Sequence, residues 1–328
     1  LDNLRIEAID ASPQIHARFI GRPQPSAINF DISAQWSRFD RAATELTGID
    51  ALVGERLHIE PNISLAQRGP WGFWQAQTGY RMSKYQLEDT LPGNPEPVQN
   101  LSPDRNIGFF ALDAGLVFER SMSLGSGHYQ QTLEPRLYYL RQGYENQEQL
   151  PVFDSADLDF TISQLFSNNR FSGLDRIGDA NQATIGLSSS LINRATGRET
   201  LSIAAAHVHH FTAPKVFLPG VRQWGGDEVM ASALSMRLAN NWQIDANQLW
   251  NYERRDWDEL GIFFRFKKDQ HRLLNFGYRQ HQRTSIKQAE VSLLWPISQH
   301  FAYTARWQYE TDEHRTLEAY AGLEYDDC

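Results

Sequence analysis

The sequence contains no apolar run long enough to form a membrane-spanning helix. The 328-residue chain is 41% hydrophobic and 22% charged, with a mean hydropathy of −0.52. Its longest apolar runs are only a few residues, whereas a spanning helix needs roughly 20. A helical membrane protein is therefore excluded. A membrane β-barrel is not, because its strands alternate lipid-facing and lumen-facing residues and average to an ordinary hydropathy.

Positive charge and cysteine are also scarce. Lys and Arg number 31 against 40 Asp and Glu, so the formal net charge is −9. Nucleic acid is a poor candidate partner, because binding phosphate groups requires clustered basic residues. The one cysteine, Cys328, is the last residue, and Leu1 opens the chain within a strand-like pattern without a signal-peptide pattern. We therefore expect residues 1–328 to be a portion of a longer protein.

Apolar and polar residues alternate with a period of two throughout the chain. Residues 302–310 carry aromatic or apolar side chains at odd positions and small or polar ones at even positions, and the same alternation recurs in 28–37, 260–267 and 317–325. This period places one set on each face of a β-strand. About sixteen strands of roughly 8 to 14 residues follow, closer to the membrane-barrel length than to the 5 to 6 residues of a soluble sandwich. The sequence predicts an all-β fold, a transmembrane antiparallel β-barrel.

The links between these strands alternate between short and long. Short links occur at 68–70, 195–197, 240–241, 268–269 and 296–298. Longer polar links occur at 40–54, 86–104, 141–180 and 212–227, although the outer links at 254–257 and 311–314 are short. Short turns on one rim and long loops on the other are typical of bacterial outer-membrane barrels, whose short turns face the periplasm.

The longest link, Arg141–Ala180, is too long for a passive connection in a compact protein. Its many apolar residues predict that it packs into or over the barrel mouth, the alternative being a solvated loop. Gly173 can adopt a positive φ, and the adjacent charges of Asp175 and Arg176 are expected to bind different partners. The candidate functional residues of this extracellular loop are Asn169, Arg170, Phe171, Gly173, Asp175 and Arg176.

Charged residues on the polar faces of the strands are expected to face the lumen, where a partner protein or water solvates them. A basic residue facing lipid at mid-membrane costs roughly 2 to 4 kcal/mol, so the register is strongly determined. The candidate lumen-facing residues are Glu134, Arg136, Arg306 and Glu318. Their mixed sign favours a plugged barrel over a porin.

Enzymatic and metal-binding readings have weaker support. His207 and His209 share a strand face and could bind a metal, but no further ligand is identifiable nearby, which favours an interfacial role. The acidic run 154–159 could bind a divalent cation or simply be solvated. No G-x-S-x-G motif is present. We expect no catalytic residue, no cofactor and no metal, and aromatic residues near strand ends disfavour a soluble β-rich binding protein.

Several motifs together carry a resemblance to a known family. Gln130–Arg136 reads QQTLEPR, Pro151–Ser155 reads PVFDS, and Asn169–Ile177 reads NRFSGLDRI, followed by Asn181-Gln182. In order and spacing these segments resemble the central barrel signature of the LptD family of lipopolysaccharide-assembly proteins. The ending GLEYDDC resembles the approach to that family's pair of adjacent C-terminal cysteines.

The resemblance implies an outer-membrane barrel of about 26 strands that receives lipopolysaccharide from a periplasmic bridge, LptA, through an N-terminal jelly-roll domain. It also implies release of the lipid into the outer leaflet, a plug lipoprotein, LptE, inside the barrel, and folding by the barrel-assembly machinery. Residues 1–328 would then be an incomplete barrel domain, without the jelly roll and the first and last strands. A porin or substrate-specific channel is the alternative function.

Cys328 is expected to lie in the periplasm. The number of strands from the loop 141–180 to the end of the chain is odd, so the chain leaves the last strand on the short-turn rim. The periplasm is oxidising, which favours a disulfide over a free thiol. The resemblance implies a partner in the jelly-roll domain of the same polypeptide, and the alternative is an inert thiol.

Overall fold

One antiparallel sheet contains all the strands of the computed structural model, which describes residues 10–21, 28–40, 52–89, 100–156, 158, 161–219, 228–238, 241–282 and 285–325. The sixteen strands are β1 (Asp10–Gly21), β2 (Ile28–Asp40), β3 (Leu52–Gly69), β4 (Gly72–Asp89), β5 (Asp104–Leu116), β6 (Phe118–Leu124), β7 (Gly127–Gln142), β8 (Ala180–Asn193), β9 (Glu199–His210), β10 (Val229–Leu238), β11 (Trp242–Asn251), β12 (Asp256–Lys267), β13 (Leu273–His281), β14 (Ile286–Pro296), β15 (Phe301–Glu310) and β16 (Arg315–Tyr325). One 3-10 helix, Ile162–Phe166, lies between β7 and β8. None of the described helical residues forms a helix able to span a membrane.

The strands follow chain order across the sheet, with one exception at β5 and β6, which both pair with β7. The pairs Gly115 with Arg136 and Phe118 with Leu133 belong to one continuous register. In that register Leu116 lies opposite Pro135, which has no backbone N–H to donate. We conclude that β5 and β6 are one strand whose hydrogen-bond ladder is interrupted by Pro135.

Strand lengths and irregularities follow the sequence with two refinements. Strands β3 and β4 each have 18 residues, longer than the sequence pattern predicts. In β1, where prolines weaken the prediction, Pro13 falls at a register shift between Ala11 and Gln14. Strand β1 is an edge of the described sheet and pairs only with β2. A proline whose nitrogen points away from β2 therefore removes no hydrogen bond between strands.

The predicted asymmetry of the connections is confirmed where the chain is described. Short turns join β3 to β4, β6 to β7, β8 to β9 and β14 to β15 at one end of the strands, here called the short-turn rim. The opposite end, the long-loop rim, carries the 37 residues between Gln142 and Ala180. The outer links 252–255 and 311–314 are short, as the sequence indicates.

The two faces of the sheet differ in chemistry. Residues that pair directly across neighbouring strands lie on the same face of the sheet. The face that contains Arg56 is here called the loop-bearing face, and it also holds the buried Arg81 and Arg105. The opposite, apolar face exposes large hydrophobic side chains from β2 to β16, including Phe30, Leu57, Leu137, Ile185, Ile203, Phe264, Phe276, Trp307 and Leu323. The predicted assignment of side chains to faces is confirmed in these strands. So large an exposed apolar surface requires an apolar environment.

Candidate functional site

Residues 143–179, here called the cap loop, pack against the loop-bearing face near the long-loop rim. Phe153 of the loop stacks on Phe39 of β2, with ring centroids 4.4 Å apart. Leu150 and Phe153 join a buried cluster with residues of β2, β3 and β4, namely Phe39, Leu52, Tyr85 and Leu87. The described part of this loop is therefore packed against the sheet and is not a solvated tether, and its placement into or over a barrel mouth stays a prediction.

Arg56 of β3 is the centre of a buried polar network under the cap loop. Its guanidinium is fully buried and donates to both oxygens of Asp154, at 2.9 and 2.6 Å, and to Asp175 at 2.6 Å. The guanidinium also lies 5.0 Å from the centre of the Phe39 ring. Burying an arginine is costly unless its charge is neutralised, and the two loop carboxylates provide this neutralisation. The Nε atom of Arg56 is buried without a hydrogen-bond partner among the described residues.

The carboxylate of Asp175 accepts hydrogen bonds from four donors. Oδ1 accepts from Arg56 and from the hydroxyl of Tyr85 at 2.9 Å. Oδ2 accepts from the backbone N–H groups of Phe153 and Asp154, at 2.7 and 2.8 Å. Asp175 therefore holds the cap loop in its folded shape and attaches that loop to two strands.

The two carboxyl groups on Arg56 differ in their ionisation. Burial opposes ionisation of Asp154, but the hydrogen bond and the charge of Arg56 outweigh it and lower the pKa of Asp154 to about 2. Burial raises the pKa of Asp175, against the opposing charge of Arg56. Asp154 thus keeps its charge well below neutral pH and neutralises Arg56.

Arg105 of β5 forms a second attachment of the loop to the sheet. It donates to the backbone carbonyl oxygens of Leu174 and Asp175, both at 2.7 Å. It also donates to Gln147 at 3.0 Å and to Ser83 of β4 at 2.7 Å. Arginine suits this position because its planar group presents several donors in fixed directions.

The side chains of the adjacent Asp175 and Arg176 bind different partners, as the sequence predicts. Arg176 is buried and donates to the carbonyl oxygens of Leu150 and Pro151, at 2.8 and 3.2 Å. Asn169 donates to the carbonyl oxygens of Phe171 and Arg176, at 3.0 and 3.2 Å. These bonds fold the cap loop on itself, whereas Asp175 fixes it to the wall.

Gly173 adopts a φ of +65°, in the left-handed region that the sequence predicts for it. A Cβ at this position would overlap the carbonyl oxygen of Asp154. Any other residue here would displace Asp154, the partner of Arg56.

Arg170 connects the cap loop to the next loop on the same rim. Its guanidinium donates to the carbonyl oxygen of Val216 and lies 4.8 Å from the ring centre of Phe171. Asp179 accepts from the backbone N–H groups of Lys215 and Val216, at 2.8 and 3.0 Å. Phe171 and Val216 are both buried, so the two loops form one unit.

A family model for LPS transport system D (LptD) matches residues 5–308 of the chain. The chain belongs to the LptD family. It is 34% identical over 312 residues to the LPS-assembly protein LptD of Nitrosococcus oceani, which covers 95% of this chain and 40% of that protein. The LptD proteins of Nitrosospira multiformis and Pseudomonas aeruginosa are 33% and 28% identical and cover 92% and 93% of this chain. The chain spans about 31 to 40% of the length of these relatives.

The LptD family, together with the single antiparallel sheet, confirms the predicted fold class of an outer-membrane β-barrel. The motifs QQTLEPR, PVFDS and NRFSGLDRI fall within the residues matched by the family model, whereas the tail GLEYDDC lies beyond them. Two of them, PVFDS and NRFSGLDRI, supply Asp154 and Asp175, the two carboxylates on Arg56.

The four candidate lumen-facing residues of this LptD-family chain lie on the loop-bearing face. Arg136 pairs with Gly115, which lies on the same face as Arg56. Glu134 lies two residues before Arg136 in β7 and therefore on the same face. Arg306 forms ion pairs with Glu290 at 3.6 Å and with Glu318 at 3.3 Å. Arg136 is bound to Asp113 at 2.7 Å and lies 4.3 Å from the Phe166 ring of the cap loop. Contact of these residues with a plug stays a prediction.

The histidines of β9 and the acidic run 154–159 are the residues that the sequence offers as metal ligands. His209 lies 2.6 Å from Glu228, and the His207 ring meets Tyr252 edge-on. Within the described residues, no three His, Cys, Asp or Glu side chains come together as a metal site. Residues 157 and 159 of the acidic run, and Cys328, lie outside the described residues.

Sequence reasoning missed the strand side of the network, namely Arg56, Tyr85 and Arg105. Alternation assigns Arg56 and Arg105 to a polar face, but it does not show that a distant loop covers that face. The usable signal is positional, since Arg56, Arg81 and Arg105 lie near the long-loop ends of three neighbouring strands. Several arginines on one face near a long acidic loop indicate a docking surface for that loop.

Proposed function

We propose that this chain is part of the wall of an outer-membrane barrel that inserts lipopolysaccharide into the outer leaflet. The long-loop rim faces the outside, so the cap loop and its residues Asn169 to Arg176 are extracellular, and the short-turn rim faces the periplasm. Residues 1–328 belong to the barrel domain, and LptA delivers the lipid through the remainder of the protein. The barrel-assembly machinery inserts the folding chain.

The observation that carries this proposal is the contrast between the two faces of the sheet. On the apolar face, the side chain of Ile185 in β8 is 64% exposed and that of Leu323 in β16 is 66% exposed, so the exposed surface runs across this half of the sheet. Exposure to water costs roughly 25 cal/mol for each Å² of apolar surface, so a face of this extent is stable only in lipid. The loop-bearing face carries charge and ion pairs, which suit a water-filled or protein-filled lumen.

The cap loop supports a closed translocon over an open channel. It lies over β2 to β10 on the face that would line the lumen, and buried arginines on three strands hold it there. On β10 to β16 the same face carries half-exposed ion pairs such as Arg265 with Asp245 at 3.3 Å. This polar surface, with Arg306 and Glu318, fits the lipoprotein LptE, and Glu134 and Arg136 of β7 are its contacts beside the cap loop. No covalent chemistry and no catalytic residue is part of the proposal.

Electrical conductance of the reconstituted full-length protein with its lipoprotein tests the proposal against the channel alternative. We expect the intact complex to be nearly closed, and deletion of Asn169–Ile177 to open it, because this deletion removes Asp175. Cells carrying the deletion should admit large antibiotics. Replacing the short turn Ala195–Gly197 by another short turn is the matched control and should change neither property. A steadily open intact complex would instead indicate a porin.

A further inference from the structure

A group of basic and aromatic side chains lies on the apolar face at the long-loop rim, across β7, β9 and the turn after β11. We call it the rim patch, and it consists of Tyr139, Arg141, His207, His209 and Tyr252. The register places Tyr139 beside Ala183 and Ala183 beside His209, so Tyr139 and His209 lie at one level of the sheet. His207 lies beside Ile185, one step deeper.

The basic groups of the rim patch have unused hydrogen-bonding capacity. Arg141 is exposed, and in the described part of the chain its side chain has neither an ion pair nor a hydrogen bond. The Nδ1 atom of His207 is buried and has no hydrogen-bond partner among the described residues. His209 is half exposed and has one carboxylate neighbour, Glu228, at 2.6 Å.

Two other basic residues at the same rim and on the same face, Arg38 and Lys287, are neutralised within the chain. Arg38 of β2 lies 3.4 Å from Glu55, and Lys287 of β14 lies 3.0 Å from Asp312. In the rim patch, by contrast, Arg141 is exposed without an ion pair among the described residues, and the carboxylate of Glu228 is bound to His209. This sector of the rim is therefore suited to an anion.

The anion must reach the patch from the lipid side. Ile185 is 64% exposed beside His207, and Leu137 is exposed on the neighbouring strand, so acyl chains would cover the surface directly below the patch. Aromatic rings and long basic side chains at the edge of an apolar band are typical of the level of lipid headgroups. Phe211 packs edge-on against His209, with ring centroids 5.0 Å apart, and closes the patch on the loop side.

We propose that the rim patch binds the phosphate-bearing headgroup of an anionic lipid in the leaflet around the long-loop rim. Arg141 provides a permanent charge and the hydrogen-bond donors, and the rings of His207, His209 and the two tyrosines border the headgroup. The acyl chains lie along Leu137 and Ile185. This inference rests on the proposed membrane placement of the apolar face.

Photo-crosslinking to labelled lipids tests the inference. The full-length protein, with its lipoprotein, carries p-benzoylphenylalanine in place of Ile185 and is reconstituted in phosphatidylcholine nanodiscs. These contain either radiolabelled phosphatidic acid or the same amount of radiolabelled phosphatidylcholine. We expect phosphatidic acid to be captured preferentially, and Arg141→Gln to reduce that preference roughly fivefold, the effect of one basic group near a charged headgroup. Combining it with His207→Gln and His209→Gln should abolish the preference.

Two variants serve as controls. Lys287→Gln removes a paired cation from the same rim and should leave the preference unchanged, and Arg141→Lys should retain most of it. Heat-modifiable gel mobility verifies that each variant is folded. Equal capture of both lipids by the parent protein, or a preference that persists in the combined variant, would overturn the inference. Capture of neither lipid at position 185 would instead contradict the membrane placement of this face.

Discussion

Arg56 of β3 and Asp175 of the cap loop form an ion pair of 2.6 Å although 119 residues separate them in sequence. Neither side chain is exposed to solvent. Burying two charges is costly, and removing one of them leaves the other uncompensated, which costs about 3 to 5 kcal/mol. The pair therefore opposes any opening of the cap loop that separates these two charges.

Arg56→Met should detach the cap loop without unfolding the sheet. The substitution leaves Asp154 and Asp175 without their cation, so we expect loop opening to become more favourable by about 3 to 5 kcal/mol. Hydrogen exchange at the amides of Phe153 and Leu174 and protease cleavage in the loop measure this. Arg18→Met is the control, because its partner Asp31 lies in an exposed ion pair of little energetic value. Equal protection of the loop in both variants would contradict the prediction.

Gly173→Ala should destabilise the cap loop by more than the free-energy cost of a strained backbone conformation alone. Gly197 has almost the same φ, +66° against +65°, but no atom lies within 4 Å of its added Cβ. Gly197→Ala therefore measures the backbone cost alone, about 1 to 2 kcal/mol. Gly173→Ala adds a clash with Asp154, so we expect a larger loss of loop protection and raised outer-membrane permeability. If the two substitutions had the same effect, the close approach of Gly173 to Asp154 would not contribute to the stability of the loop.

Photo-crosslinkers on the loop-bearing face should capture the plug lipoprotein, whereas those on the apolar face should not. The four test positions are Glu134, Arg136, Arg306 and Glu318, and the apolar controls are Tyr303 and Leu317. At Arg136 we expect capture of the cap loop as well, because the Phe166 ring lies 4.3 Å from its guanidinium. Similar yields from both faces would mean that the plug does not occupy this side of the sheet.

Cys328→Ser should change the mobility of the full-length protein on a non-reducing gel. Strand β16 ends at Tyr325 on the short-turn rim, the side that we assign to the oxidising periplasm. A disulfide to the periplasmic part of the polypeptide would compact the denatured chain, and the substitution should abolish this difference between reduced and oxidised samples. A disulfide map that is the same with and without Cys328 would rule the bond out.

Residue alternation was enough to predict most of the sheet. A period of two assigns side chains to faces within one strand, and the lengths of the links decide which strand ends share a rim. Both properties are local, so Glu134, Arg306 and Trp307 could be assigned to faces without coordinates. The interruption of β5 and β6 was not predictable in this way, because it arises from Pro135 on the neighbouring strand.

The amino-acid sequence by itself determined the strands, their two faces, the long cap loop and the positive φ of Gly173. Tertiary structure decided where that loop goes and which side chains hold it. The apolar content of the loop predicts packing, but many surfaces could satisfy it. Arg56 lies 98 residues from Asp154, and the loop meets it only after the intervening strands β4 to β7 have paired. Neutralisation of a buried charge depends on distance in space, which periodicity along one chain does not specify.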